Sequence, residues 1–407
     1  MTDVDHRSTM QLRQLMPGRR YRSRYRYTSG NSVKLFTSGS ELFGSLIERI
    51  DAATRDVALE TYIFCDDATG RLVSAALMRA AGRGVRVRVI TDGIGTARLP
   101  LFDAWRAAGI EHRIYNPHLF GHFAFSRTHR KLAVIDDTYA YCGGINVVDD
   151  LDQNGRPLPF PRWDFAVELN GPAVVDVREA IELQWRRIRI GHRPPPARTV
   201  LRSRPRASVR DPRTARVPCV AFVARDNIVN RRAIEKAYLD AIGEARSEVL
   251  LANPYFMPGR RLRRALIDAA ARGVSVKLLI GRKEFAFLDH AVPFLYRALL
   301  LAGVKIAEYE RTMLHGKVAV VDSKWATVGS SNLDALSLVL NNEANVLIVL
   351  HPEIELLRAH ILAAFDDAVP IDRVHYEARP VLERSLSWLA YTIYRAAMKL
   401  LTVGSYD

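Results

Sequence analysis

Cysteine is scarce in this chain of 407 residues, which contains only Cys65, Cys142 and Cys219. They stand in apolar surroundings and lack the paired spacing of a zinc site or of a disulfide framework. A small disulfide-stapled fold is therefore excluded. We expect all three to be reduced core residues of a cytoplasmic protein.

Long apolar runs are also missing. No stretch reaches the roughly 18–20 uncharged apolar residues that a membrane-spanning helix needs. The first residues, Met1–His6, lack the basic start and apolar core of a signal peptide. We expect that the chain does not cross a membrane and that any membrane contact is peripheral, at the cytoplasmic face.

Acidic residues are outnumbered: 44 Asp and Glu stand against 59 Lys and Arg, for a net charge of +15 and a pI near 9.9. This balance favours a polyanionic partner, either nucleic acid or an anionic membrane surface. The length and the apolar fraction of 48% suffice for two domains or one duplicated unit with a sizeable core.

One polar pattern occurs twice in a single register. His129, Lys131, Asp136 and Asn146 are matched 186 residues later by His315, Lys317, Asp322 and Asn332, and each asparagine ends a glycine-containing turn (Gly143–Asn146, Gly329–Asn332). A lone histidine at a strand start is more often structural, and a lone lysine there is usually solvated. The repetition instead indicates a duplicated half of an active site.

The local chemistry of each copy points to phosphate. Leu132–Ile135 and Val318–Val321 are short apolar runs that predict buried strands. Residues two apart on a strand share a face, so the His and Lys of each copy project together. Two imidazoles and two ammonium groups suit a phosphate and its developing charge. An ammonium cannot ligate a metal, so we expect neither metal nor other cofactor.

The doubled pattern His-x-Lys-x4-Asp-x6-Gly-(Gly/Ser)-x-Asn resembles the phospholipase D superfamily. The sequence between the motifs is similar to the bacterial cardiolipin synthases, closest to the subtype without amino-terminal membrane spans. The similarity covers about residues 30 to 370. The stretches that carry it include 59–64, 80–85, 162–164, 225–227, 252–256, 314–317, 325–334 and 337–345.

The resemblance implies an α/β fold of two pseudo-symmetric halves, each a mixed, mainly parallel sheet sandwiched by helices, with the active site at their interface. The alternation of strands and helices agrees with it. The boundaries that we expect are a basic tail (1–32), the first half (33–191), an Arg/Pro-rich linker (192–218), the second half (219–372) and an amphipathic tail (373–407).

The resemblance also implies roles for the motif residues. One histidine forms a phosphohistidine and the other acts as acid and base; we expect His129 and His315 in that order, although the symmetry leaves the order open. Both lysines, both asparagines and Ser330 would hold phosphate. Asp136 and Asp322 belong to the catalytic motif, where bracing is favoured over direct chemistry. Asp164 and Glu343 would orient the histidines, the alternative being surface salt bridges.

The implied reaction is phosphatidyl transfer to phosphatidylglycerol. The donor is phosphatidylglycerol or phosphatidylethanolamine, the partner is an anionic phospholipid membrane, and nucleic acid is not expected. Hydrolysis by a phospholipase D or a nucleic-acid phosphodiesterase is the enzymatic alternative. A non-catalytic membrane-binding module is disfavoured because both motifs are intact. Gly144 stands where serine is common and where the second copy has Ser330.

Three further segments leave alternatives open. Arg19–Tyr27 interleaves arginine with tyrosine, which suits anionic headgroups, nucleic acid or a disordered basic tail. The aromatic residues of Asn116–Phe125 could guide acyl chains or simply fill the core. Near the C-terminus, an apolar helix face (Leu386, Leu389, Ile393, Leu400 and their neighbours) predicts either a membrane-surface helix or docking on the protein itself.

Overall fold

The computed structural model describes residues 26–96, 98–117, 126–153, 155–189, 208–209, 217–226, 230–282 and 286–401. Three predicted segments lie outside the described residues: most of the basic tail, the aromatic residues of 118–125 and most of the linker. The described chain forms two large sheets, one for each copy of the repeated motif.

The first half contributes a seven-stranded sheet and four helices. Its strands are β2 (Ser32–Phe36), β3 (Asp56–Thr61), β4 (Arg86–Asp92), β5 (Glu111–Tyr115), β6 (Leu132–Ile135), β7 (Tyr139–Gly143) and β10 (Ala166–Asn170). They lie in the order β2-β10-β7-β6-β3-β4-β5. Its helices are α1 (Gly39–Asp51), α2 (Ala68–Gly82), α3 (Leu101–Ala107) and α4 (Val174–Arg189), and a separate small ribbon pairs β8 (Asp152–Gln153) with β9 (Arg156–Pro157).

The second half is built around a ten-stranded sheet. Its strands are β1 (Tyr27–Ser29), β11 (Ser208–Val209), β12 (Cys219–Arg225), β13 (Glu248–Asn253), β14 (Ser275–Gly281), β15 (Lys305–Tyr309), β16 (Val318–Val321), β17 (Trp325–Gly329), β18 (Glu343–Val349) and β19 (Val369–Pro370). They lie in the order β11-β1-β12-β18-β17-β16-β13-β14-β15-β19.

The helices of the second half follow the same alternation. They are α5 (Ala233–Glu244), α6 (Arg260–Ala271), α7 (Ala286–Ala291), a 3-10 turn (Val292–Leu295), α8 (Tyr296–Leu301), a π-helical turn (Leu336–Leu340), α9 (Glu353–Asp366), α10 (Arg373–Glu377) and α11 (Val381–Leu401). Among the described residues, no helix is both long and apolar enough to span a bilayer.

The prediction of two mixed α/β halves is confirmed, but its emphasis on parallel pairing is wrong. Among the described strands, only β3–β4–β5 and β13–β14–β15 pair in parallel. Parallel neighbours need a crossover helix, and α2, α3, α6 and α8 supply it there. The motif strands instead form tight hairpins, β6–β7 and β16–β17, which are necessarily antiparallel.

Two short strands that the sequence assigned to the tail and to the linker pair in the sheet of the second half. Tyr27–Ser29, placed with the basic tail, pairs with β12 in the sheet of the second half. Ser208–Val209, placed in the linker, pairs with the other edge of β1. The next strand, Ser32–Phe36, enters the sheet of the first half, so the chain touches both halves within ten residues.

The two halves share an apolar core. The inner faces of both sheets, together with α4 and α9, form one continuous cluster. Val134 and Val167 represent the first sheet in this cluster, and Val320 and Val346 the second, all of them fully buried. Burial of this kind fixes the position of one motif strand against the other.

Candidate active site between the halves

Two short parallel bridges cross the interface and bring the motifs together. Thr128, one residue before the first motif, pairs with Asn342, and Leu314, one residue before the second, pairs with Trp163. As a result the backbone N–H of His129 donates to Asn342 O at 2.9 Å, and that of His315 donates to Trp163 O at 2.9 Å. The residues that follow Trp163 and Asn342 are the two predicted carboxylates.

Each histidine is therefore held by a carboxylate of the other half. His129 Nδ1 lies 3.1 Å from Glu343 Oε2 and 3.1 Å from the carbonyl oxygen of Ser330. His315 Nδ1 lies 2.6 Å from Asp164 Oδ2. With Nδ1–H donating to a carboxylate, the lone pair of Nε2 is left for chemistry in both rings. The sequence predicted the two acids, but not that each one bonds the histidine of the other half.

The different carboxylates explain why one motif has Gly144 and the other Ser330. A Cβ at Gly144 would lie 2.2 Å from Asp164 Oδ1, so the shorter acid reaches His315 only because glycine leaves space. In the other half the Ser330 hydroxyl donates to Glu343 Oε2 at 2.5 Å. The Gly144–Asp164 pair and the Ser330–Glu343 pair are thus two ways of placing a carboxylate against a histidine.

Both lysines are buried beside the histidines. Lys131 Nζ donates to His129 O at 2.8 Å, and Lys317 Nζ makes the equivalent bond to His315 O. Burial and the nearby Lys317 charge lower the pKa of Lys131 to about 7. Two lysine charges that interact in this way favour the binding of an anion, which relieves their repulsion.

Electrostatics favour neutral imidazoles and ionised acids in this site. Burial, together with the lysines, lowers the pKa of His129 and takes that of His315 well below its ordinary value. Burial raises the pKa of Asp164 to about 6, against the pull of Lys317. For Glu343, burial opposes ionisation, but His129 and Lys131 outweigh it and hold the pKa below its ordinary value.

The structure places Asn146 and Asn332 at the same buried position of each half, three residues beyond the motif strands β7 and β17. Asn146 Oδ1 accepts from the backbone N–H of Ile63 at 3.2 Å, which leaves its amide N–H groups as donors. Asn332 Oδ1 is buried without a hydrogen-bond partner among the described residues.

Asp136 and Asp322 are not brought to this pocket. They directly follow β6 and β16, roughly 16 Å along the chain from the lysines at 3.3 Å per residue. Asp136 accepts backbone N–H groups of Thr54, Arg55 and Asp56 at 2.9 Å each. Asp322 accepts those of Arg246, Ser247 and Glu248 in the same way. Both carboxylates tie the motif hairpin to the neighbouring strand.

Sequence reasoning missed an ionic network behind the first motif. Arg130 lies between His129 and Lys131 in the sequence. It donates to Glu60 from Nε at 3.0 Å and from Nη2 at 2.9 Å. Thr128 Oγ1 bonds the same carboxylate. In the second copy the position of Arg130 is Gly316, where a Cβ would lie 2.9 Å from the Trp163 ring. A glutamate inside an apolar strand was the available signal.

Tyr62 is a second residue that the sequence did not single out. Its ring lies edge-on to His129, with centroids 4.9 Å apart, and Lys131 Nζ is 5.4 Å from its centroid. The Tyr62 ring covers one side of the imidazole and limits its rotation.

Comparison with known proteins places this geometry in a family. A family model described as "Cardiolipin synthase, PLD-like domain" matches residues 46–150 and 238–364, one segment in each half. The fold is also similar to phosphatidylserine synthase from Haemophilus influenzae, with a TM-score of 0.65 at 14% identity, covering 93% of this chain and 97% of that one. The chain belongs to the phospholipase D-like cardiolipin synthase family.

Its relatives include particular members of that family. Cardiolipin synthase B of Salmonella typhi is 40% identical over 332 residues, which are 79% of this chain and 77% of the relative. Cardiolipin synthase B of Escherichia coli K12 is 39% identical over 330 residues, with the same coverage.

The pairing of Gly144 with Asp164 is testable by a double-mutant cycle. Gly144→Ser should destabilise the fold by about 1–3 kcal/mol because its side chain meets the Asp164 carboxylate. Adding Asp164→Glu recreates the Ser–Glu pair of the other half, so the double variant should recover at least about 0.5 kcal/mol of the summed losses. Denaturant unfolding measures both. Strictly additive losses would contradict the coupling.

Proposed function

We propose that this protein is a cardiolipin synthase that transfers a phosphatidyl group to the glycerol hydroxyl of phosphatidylglycerol. The observation that carries the proposal is a pair of histidines, each bonded through Nδ1 to a carboxylate of the other half and each followed two residues later by a buried lysine. The relatives that align with most of this chain are named cardiolipin synthases, which supports the same reaction.

In the first step His129 Nε2 attacks the phosphorus of the donor lipid. A P–N bond forms, the P–O bond to the donor's headgroup alcohol breaks, and protonated His315 gives its proton to that leaving oxygen. The lowered pKa values of both histidines favour neutral imidazoles before the lipid binds. The negative charge of an arriving phosphodiester favours protonation of one of them. With phosphatidylglycerol as donor the released alcohol is glycerol, and with phosphatidylethanolamine it is ethanolamine.

In the second step a glycerol hydroxyl of phosphatidylglycerol attacks the phosphohistidine. His315 takes the hydroxyl proton, a P–O bond forms, and the P–N bond to His129 breaks. Lys131, Lys317, Asn146 and Asn332 hold the non-bridging oxygens, with Ser330 supporting through Glu343, and so spread the charge that grows on phosphorus. Asp164 and Glu343 fix the imidazole tautomers. Asp136 and Asp322 act only as braces.

The proposed location is a membrane surface, on its cytoplasmic face. All three cysteines are free, which suits a reducing compartment. The C-terminal helix α11 packs on the body through Tyr391, Tyr394 and Met398. It leaves an apolar stripe exposed, formed by Leu382, Leu386, Leu389, Ile393 and Leu400. A helix can therefore dock on the protein with one face and still offer another to lipid.

The direct test is product analysis on phosphatidylglycerol vesicles by mass spectrometry. We expect cardiolipin and free glycerol, with the rate reduced about 10²–10⁴-fold or more in His129→Ala and in His315→Ala. His290→Ala removes an exposed histidine outside the site and should behave as the unchanged protein. Phosphatidic acid alone would mean that water is the acceptor. No lipid product would redirect the search to nucleic-acid phosphodiesters.

The pKa values predict a narrow, bell-shaped pH dependence of kcat/KM. Asp164 must be ionised to hold His315, so activity should fall as pH drops below about 6. Lys131 must be charged to hold phosphate, so activity should fall as pH rises above about 7. Because a guanidinium stays charged, Lys131→Arg should move the alkaline limb upward by a unit or more, whereas Lys305→Arg at an exposed lysine should not. An unmoved limb in Lys131→Arg would contradict the assignment.

A further inference from the structure

A cleft beside α11 lies outside the site described above. It is lined by the 3-10 turn and α8 on one side and by α10 and α11 on the other, and has a volume of about 630 Å³. Its lining residues are Phe294, Arg297, Tyr376, Glu377, Arg379, Val381, Arg384, Ser385, Ser387 and Trp388. None of them belongs to the repeated motifs.

The cleft carries an excess of positive charge. Arg297, Arg379 and Arg384 line it against a single carboxylate, Glu377, which is already paired with Arg373 at 3.3 Å. Among the described residues, no carboxylate lies within ion-pair distance of these three arginines. The cleft therefore offers three guanidinium groups that no carboxylate of the described residues neutralises.

Aromatic residues line the cleft, and one of them positions Arg379. The Arg379 guanidinium lies 3.9 Å from the centroid of the Tyr376 ring, and its Nε donates to Tyr376 O at 3.2 Å. Phe294 stacks on Tyr391, with centroids 4.6 Å apart. Trp388, with 55% of its surface exposed, stands at the edge of the cleft. An aromatic rim around arginines is typical of a protein surface at the headgroup level of a bilayer.

On a helical wheel of α11, the cleft and the apolar stripe lie on opposite sides of the direction that points away from the protein body. The buried residues Ser387, Ala390, Tyr391 and Tyr394 mark the direction towards the body. Successive residues of α11 are turned by about 100° around its axis. The apolar stripe therefore lies on one side of the direction that points away from the body, and most of the α11 residues of the cleft lie on the other side. A flat anionic surface laid against the outward edge of α11 meets both.

We propose that this cleft binds the phosphodiester headgroup of an anionic membrane phospholipid, as a second site that takes no part in catalysis. Guanidinium groups match phosphate oxygens in charge and in bidentate geometry. Nucleic acid offers the same phosphate but no partner for the adjoining apolar stripe. The proposal rests on the membrane location proposed above and adds a named headgroup site to it.

The test compares vesicle binding of three variants in a His129→Ala background, which prevents turnover. One variant is Arg297→Gln, Arg379→Gln and Arg384→Gln. Its charge-matched control replaces three exposed arginines of the first half, Arg71, Arg86 and Arg106, with glutamine. The third replaces Leu386, Leu389 and Ile393 of the stripe with serine. The vesicles are pure phosphatidylcholine, or phosphatidylcholine mixed with phosphatidylserine.

We expect the cleft variant to lose on the order of a hundredfold in affinity for the phosphatidylserine vesicles, at about 1 kcal/mol for each arginine, and to bind pure phosphatidylcholine as before. The stripe variant should weaken binding to both. Equal losses in the cleft variant and its charge-matched control would overturn the proposal, because general attraction would then explain the binding. Unchanged binding in the cleft variant would overturn it as well.

A second measurement separates this inference from the proposed reaction. With His129 restored, the cleft variant should turn over soluble short-chain phosphatidylglycerol like the unchanged protein, which also shows that it folds. Loss of that turnover at an unchanged unfolding temperature would make the cleft part of the substrate site and overturn a non-catalytic role. If the unchanged protein has no turnover, the proposed reaction fails while the vesicle result still stands.

Discussion

The hydrogen bonds that cross between the halves are the constraint on which the rest of the structure depends. Each half supplies a histidine and a lysine, but the carboxylate that sets the tautomer of that histidine comes from the other half. Neither motif is complete alone. The bridges at Thr128–Asn342 and Leu314–Trp163 and the shared apolar core serve to keep these two bonds in register.

The site also depends on contacts outside the pocket. The Asp136 and Asp322 carboxylates fix the opposite ends of the motif strands through backbone N–H groups of neighbouring chain segments. The two halves are also not equivalent. The Glu60–Arg130 pair and Tyr62 support His129, whereas Trp163 packs against Gly316 beside His315. Unequal surroundings give two identical imidazoles a basis for different roles.

Much of this could be predicted from the sequence because the repeat is local and periodic. Leu132–Ile135 and Val318–Val321 are strands within the bounds that their apolar runs indicated. The pairing of strands was harder, because alternation of helices and strands says nothing about hairpins such as β6–β7. The entry of Tyr27–Ser29 into the sheet of the second half depends on a long-range contact that no local pattern encodes.

The same limit applies to the site. Spacing predicted which histidines, lysines and acids matter, but which acid meets which histidine depends on how the halves pack. Gly144 appeared as a departure from the pattern until its distance to Asp164 gave the reason. At α11 the sequence predicted the apolar stripe as a whole, while the structure shows that the tyrosines, not the leucines, face the body.

The proposed reaction requires that one histidine of this shared site becomes covalently phosphatidylated. The most direct measurement is to mix the protein with phosphatidylglycerol, quench within the first turnovers, and map the adduct by mass spectrometry under conditions that preserve phosphohistidine. We expect a phosphatidyl group on His129, absent when Glu343 is replaced by alanine. Cardiolipin formation without an adduct on either His129 or His315 would contradict it.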